Sequence, residues 1–165
     1  MNSFCFRQAA LEEIITLRYA VLCTGRPWRE AQFTGDDDAQ THHFGAFRAV
    51  ASGAATNAAA LIAAVNVGCV SYMMTDYEGE PAWQLRGMAT RPDLAGRGVG
   101  RGLVHAAQAA LVSRSPVRLF WCKARTPAIP FYERLGWRVV SEEFVIEHYG
   151  PHRKMMLRVV NNVMS

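Results

Sequence analysis

No two of the four cysteines (Cys5, Cys23, Cys69 and Cys122) are close enough to make a CxxC or CxxH pair, so zinc ligation has no support in the sequence. Widely spaced thiols of this kind are expected to be reduced and mostly buried, which points to a cytoplasmic protein. The opening Met1-Asn2-Ser3-Phe4-Cys5-Phe6-Arg7 lacks the charged-then-apolar pattern of a secretory leader. Charge is sparse too: 19% of residues are charged and the net charge is +4. The basic residues form no stripe or tail, and no RNP-like, zinc-finger or helix-turn-helix pattern occurs, which argues against nucleic acid as a partner. Their small concentrations at Arg97–Arg101 and Lys123–Arg125 suit a small anionic ligand better. One nearly all-apolar stretch, Ala58–Met74, approaches membrane-span length. Asn66, Gly68 and Ser71 interrupt it and β-branched residues enrich it from Ile62 on, so it reads as a buried strand and no membrane partner is expected.

What remains is a globular composition, with half of the 165 residues hydrophobic, in a length that fits one domain over residues 1–165. Phe4–Arg7 alternates as a strand. Leu11, Ile14, Ile15, Leu17, Val21 and Leu22 recur at helical spacing, with Glu12 and Glu13 near the helix start. Thr24–Thr41 reads as a loop with room for a short helix; its run Asp36-Asp37-Asp38 is either solvated or an acidic rim for a cationic amine. Strands are expected over His43–Ala51, Leu61–Thr75 and Trp83–Thr90, with Ser52–Ala59 as a small-residue connector and Asp76–Pro81 as a turn. Val99, Leu103, Ala106, Ala107, Ala110 and Leu111 mark a second helix, Val117–Cys122 a strand, and Ala128–Leu135 a short helix capped by Gly136. Trp137–Glu147 and Lys154–Val160 read as a closing antiparallel pair. The order β-α-β-β-β-α-β-α-β-β gives a mixed α/β fold without internal repeats.

The segment Arg91–Val104 carries the chemistry. Gly96, Gly98, Gly100 and Gly102 alternate between an incoming strand and an outgoing helix. Residues without Cβ let several backbone N–H groups face one point, and the helix dipole and Arg97 and Arg101 add positive charge. This is an anion site. GxGxxG fails, because Arg101 occupies the third glycine position, and no GxxxxGK[ST] exists.

Ala95-Gly96-Arg97-Gly98-Val99-Gly100 resembles the pyrophosphate motif [RQ]xxGx[GA] of the GNAT N-acetyltransferases, with Ala95 where Arg or Gln is usual. Ala128-Ile129-Pro130-Phe131-Tyr132-Glu133-Arg134-Leu135-Gly136-Trp137 resembles that family's AxxFYxxxGF, with Trp in place of the last Phe. The resemblance extends over nearly the whole chain. It implies a mostly antiparallel mixed sheet of six to seven strands, with helices on both faces and the fourth and fifth strands splayed. Acetyl-CoA would be the acyl donor and no metal would be needed. The backbone of Met88, Ala89 and Thr90 would pair with the pantetheine arm, and Gly96, Arg97, Gly98, Val99, Gly100 and Arg101 would hold the pyrophosphate.

The implied reaction is direct attack of a primary amine, on a small molecule or peptide, upon the thioester. Tyr132 matches the family's proton donor to the leaving thiolate, and a phenol is protonated at neutral pH. Gln84 stands where many members carry a glutamate base; it cannot accept the proton but could orient a water. Glu142, Glu143, His42, His43 and His148 are the other titratable candidates for the base. The missing glutamate leaves a non-catalytic acyl-CoA sensor as the alternative. His148 and His152 flank Gly150-Pro151, which breaks the helix that would pair them on a metal. Arg125 stands near a family asparagine position; it or Lys123 could meet a CoA phosphate. The superfamily often forms homodimers, to which the C-terminal strands could contribute.

Overall fold

The structure, a computed structural model, describes residues 4–49 and 64–160. The Ser52–Ala59 connector, the start of the long apolar stretch and the tail Asn161–Ser165 lie outside the described residues. The chain divides into two compact units, one containing residues up to Ser71 with Gly87–Leu111, the other Tyr72–Arg86 with Val112 onward.

In the first unit, β1 (Phe4–Ala9) pairs antiparallel with β2 (Thr41–Ala49), in a register setting Phe4 opposite Arg48 and Ala9 opposite His43. The strand order continues through β3 (Ala64–Tyr77) to β4 (Glu80–Thr90), whose Ala64–Ser71 and Gly87–Thr90 parts belong here. Between β1 and β2 lies α1 (Leu11–Leu22), with the boundaries its apolar spacing predicts. Glu13 starts it by accepting the Ala10 N–H at 2.8 Å while pairing with Arg7 at 2.7 Å. Ile14 packs with Cys69 and Ala89, and Leu11, Leu17, Val21 and Leu22 close around them. Burying each such side chain contributes roughly 1.5–3 kcal/mol.

The second helix, α2 (Val99–Arg114), packs at Gly68, where a methyl group would meet Val99 at 3.1 Å and Ala46 at 3.2 Å. Adjacent residues of a strand face opposite ways, so Cys69 under α1 and Gly68 under α2 place helices on both faces of this part of the sheet. A methyl group at Gly102 would press on the tip of the Phe6 ring, so α2 lies against β1 here.

In the second unit, β3 and β4 meet in a hairpin whose two loop residues, Glu78 and Gly79, have φ of 54° and 87°, the signature of a type I′ turn. β4 pairs in parallel with β5 (Leu119–Arg125) through only three residue pairs, Trp83–Leu85 with Phe120–Cys122. β5 continues to Arg125, paired antiparallel on its other side with β8 (Gly150–Arg158). β6 (Arg138–Val139) and β7 (Phe144–Ile146) both pair with β8. Tyr77, Ala82, Leu119 and Trp121 form the core here, and Trp121 Nε1 donates to Thr75 Oγ1 at 2.9 Å.

Several expectations are corrected. Among the described residues the strands number eight rather than six to seven, because Trp137–Glu147 is not continuous: it breaks into β6 and β7, with Glu142 and Glu143 between them. Those two glutamates therefore lie in neither strand. The Ala128–Leu135 helix is shorter, with a 3-10 turn at Thr126–Ala128 leading into α3 (Ile129–Glu133). The acidic run is divided: Asp37 and Asp38 are exposed, but Asp36 is buried against Arg18 and belongs to no solvated rim.

Candidate functional site

The glycine-rich segment begins with a 3-10 turn, Pro92–Leu94, started by proline and tightened by a bidentate Arg91–Asp93 pair at 2.9 and 2.8 Å. Gly96 and Gly98 then adopt φ of +74° and +80°, a left-handed conformation that other L-residues adopt at a cost of about 1–2 kcal/mol. A methyl group at either would meet nothing within 4 Å, so the surface over these two residues is open. The Gly102 N–H donates to the Gly98 carbonyl at 2.9 Å as α2 begins. Val99, Gly100 and Arg101 fill the first turn, whose N–H groups have no intrahelical acceptor. Arg97 and Arg101 are exposed beside them.

An anion fits this cradle: open backbone, the positive end of a 16-residue helix, and two cationic side chains. Two expected members have narrower roles. The Arg97 N–H already donates to the Leu94 carbonyl at 3.2 Å, so only its side chain is available. Val99 is a core residue, 1% exposed, so its side chain is taken up by the core. Just upstream in the same unit, Met88, Ala89 and Thr90 end β4, with Ala89 buried beneath α1 and the other two half-buried.

In the second unit, Tyr132 sits on α3, and its carbonyl accepts the N–H groups of Leu135 at 2.9 Å and Trp137 at 3.1 Å. Gly136, at φ +86°, supplies the left-handed residue that this helix end requires. The Tyr132 ring packs edge-on to Phe131 at 5.1 Å and tilted to Trp137 at 5.5 Å. Burial pushes its phenol well above the ordinary value, and the neighbouring Cys122 and Tyr72 push in the same direction. It therefore holds its proton throughout the neutral range. Gln84, half-buried on β4, stands opposite Trp121 of β5.

The titratable candidates are dispersed. Glu143 accepts from the Thr126 hydroxyl at 3.1 Å on the surface, and Glu142 is exposed. His148 is exposed in the turn before β8 at φ 67°, 3.6 Å from Glu147. His42 lies 3.5 Å from Gln8, whereas His43 is buried, its ring nitrogens 2.6 Å from Ser71 Oγ and 3.0 Å from the Asp36 carbonyl. His152 stacks on Phe144, with Nδ1 at 2.8 Å from the Gly150 carbonyl. Arg125 lies over the Tyr149 ring at 5.3 Å, and Lys123 is exposed. No group of three or more metal-ligating side chains occurs among the described residues.

One cluster escapes a reading by pattern. Arg18 of α1 is fully buried, donating to the Ala31 carbonyl at 3.0 Å, Asp36 Oδ2 at 2.5 Å and Ser71 Oγ at 2.6 Å. Its signal was available: Arg18 lies four residues after Ile14 and seven after Leu11, on the helix's apolar stripe. A charge there demands a buried partner, and the longest acidic run in the chain is Asp36–Asp38.

Residues 56–139, just over half of the chain, match the family model described as Acetyltransferase (GNAT) domain. The chain belongs to the GNAT family. Within it, the chain is 37% identical over 71 residues to the uncharacterized N-acetyltransferase YitI of Bacillus subtilis (strain 168). That match takes in 43% of this chain and 47% of the relative, so the chain matches about half the length of its curated relative. The fold is shared more widely. The NatC complex bound to Gag peptide and CoA gives a TM-score of 0.70 at 15% identity, covering 96% of this chain and 99% of that one. Arabidopsis thaliana NAA60, in complex with a bisubstrate analogue, gives 0.66 at 13% identity, covering 94% and 98%. The matched range of this GNAT chain takes in Gln84, the glycine-rich segment Gly96–Gly102 and the Phe131-Tyr132 pair.

Proposed function

We propose that this chain, as one catalytic domain over residues 1–165, transfers the acetyl group of acetyl-CoA to a primary amine of a small molecule or peptide. The observation that carries the reading is the cradle at Gly96–Arg101: left-handed glycines with open space above them at the start of α2. Backbone N–H groups and a helix dipole suit a pyrophosphate, and this recognition does not depend on the side chain at position 95. Arg97 and Arg101 add long-range attraction for the same anion. Met88, Ala89 and Thr90 offer strand backbone to the pantetheine amides, as an added strand would be held.

In this reading the amine attacks the thioester carbonyl carbon, the C–N bond forms and the C–S bond breaks, and the sulfur leaves with the electron pair. Tyr132 is the acid. Its phenol, kept neutral by burial, donates to the sulfur as charge develops there. Gln84 orients a water that carries the ammonium proton to solvent before attack, and the second proton, shed by the nitrogen once the C–N bond has formed, returns to the Tyr132 oxygen. The titratable candidates support no direct base: the glutamates are surface residues and His43 is committed within the buried cluster. YitI is named an N-acetyltransferase, and NatC and NAA60 were solved with a peptide and CoA and with a bisubstrate analogue, which supports amine acceptors as the substrate class.

Calorimetric titration of acetyl-CoA tests the cofactor half of the reading. A stoichiometric complex, weakened by added salt as an ion-mediated contact should be, is expected. Absence of binding at millimolar acetyl-CoA would refute it.

A further inference from the structure

Gly87 is the residue before the Met88–Thr90 stretch, and it has φ of +61° within an otherwise extended strand. The space above its α-carbon is filled from one side. A methyl group there would lie 2.9 Å from Arg18 Nε and 2.9 Å from the Phe33 ring. The Phe33 ring lies against the guanidinium, 4.4 Å from Arg18 Cζ to the ring centroid. Arg18 is held by Ala31, Asp36 and Ser71, and the Phe33 backbone by its N–H, which donates to Asp36 Oδ2 at 2.7 Å. His43 closes the ring by contacting both Ser71 and the Asp36 backbone. The planar fork of arginine reaches partners on two sides at once, which a lysine cannot do. On the far side, the Gly87 carbonyl accepts the Cys69 thiol at 3.5 Å.

We infer that Arg18 is a positioning residue for the cofactor: with Phe33, it clamps Gly87 in its left-handed conformation and so fixes where Met88 and Ala89 present their backbone groups. A glycine without the clamp is free to return to extended φ, because it carries no side chain to oppose the change. A rotation at Gly87 turns the peptide groups that follow. Apolar residues would fill the same volume without the desolvation cost of a buried ion pair, so stability alone does not account for the pair. The inference rests on the reading of Met88–Thr90 as the pantetheine strand.

The test compares wild type with Arg18→Lys and with Phe33→Leu, the second removing the ring while leaving every hydrogen bond of Arg18 in place. Acetyl-CoA Kd is measured by calorimetry well below each Tm, alongside amide exchange across β4. Both variants are expected to raise Kd about tenfold and to speed exchange at Met88 and Ala89 more than at Trp83–Leu85. If Arg18→Lys does not fold, Phe33→Leu gives the same readout. Variants that lose Tm yet bind within about twofold of wild type, with unchanged exchange at Met88 and Ala89, overturn the inference and leave Arg18 a stability residue only. If wild type binds no acetyl-CoA, the acetyltransferase reading falls and takes this inference with it.

Discussion

Arg18 Nη1 and Asp36 Oδ2 lie 2.5 Å apart with both side chains fully buried, an ion pair that ties α1 to the connection running toward β2. Buried pairs stabilise little relative to apolar residues, yet breaking one is costly, because the survivor is left charged without a partner. Asp36→Ala is expected to cost about 3–5 kcal/mol in a urea titration. The double variant Arg18→Met/Asp36→Leu should recover most of that loss. A double variant no more stable than the single one would show that hydrogen bonds, rather than the stranded charge, set the cost.

The glycines of the cradle separate into two kinds. Gly98→Ala forces φ +80° on a residue with a side chain, at about 1–2 kcal/mol, and should shift the loop and weaken acetyl-CoA binding several-fold. Gly102→Ala meets the Phe6 ring, which is half-buried and can yield, while alanine favours the helix by about 1 kcal/mol. The two effects offset, so Gly102→Ala should change neither Tm nor Kd appreciably. Equal loss of acetyl-CoA affinity in the two variants would return Gly102 to the anion site.

Tyr132→Phe removes one hydroxyl from a well-packed ring held by Phe131 and Trp137. The fold should survive. Loss of the acid should lower kcat by roughly 100-fold or more, with acetyl-CoA Kd unchanged. A variant as fast as wild type with the same amine would remove Tyr132 from the mechanism.

Burial pushes the Cys69 thiol up to about 12, against the smaller opposing effect of the Arg18 charge. In the folded protein this thiol keeps its proton where the unfolded chain has already lost it. Stability is therefore fully present below the ordinary thiol range and falls as pH rises from there toward about 12. The slope of unfolding free energy against pH in that alkaline window should flatten in Cys69→Ala. The same burial predicts that native protein reacts with a thiol reagent at Cys5, the exposed cysteine, before Cys23, Cys69 or Cys122. Simultaneous reaction of all four would contradict the burial assignment.

What the sequence made legible follows from what is local. The Leu11–Leu22 helix, the Gly136 cap and the glycine-rich turn into α2 are set by spacing and backbone freedom, which are written in consecutive residues. The break between β6 and β7 was not, because Trp137–Glu147 alternates like one strand and pairing with β8 decides where it ends. Arg18, His43 and Ser71 are separated by up to 53 residues, and only the fold brings them to hydrogen-bonding distance. Gly102 continues the alternation of glycines in the sequence, but only the fold shows that it lies against the Phe6 ring of β1.

The most direct test is turnover. Purified protein is mixed with acetyl-CoA and a panel of primary amines (peptides with free N-termini, polyamines and aminoglycosides), while free thiol and acetylated amine are followed together. At least one amine is expected to gain an acetyl group in step with thiol release, in a reaction that Tyr132→Phe slows roughly 100-fold. Acetyl-CoA bound tightly with no thiol released to any amine would contradict it, and would make the chain an acyl-CoA sensor instead.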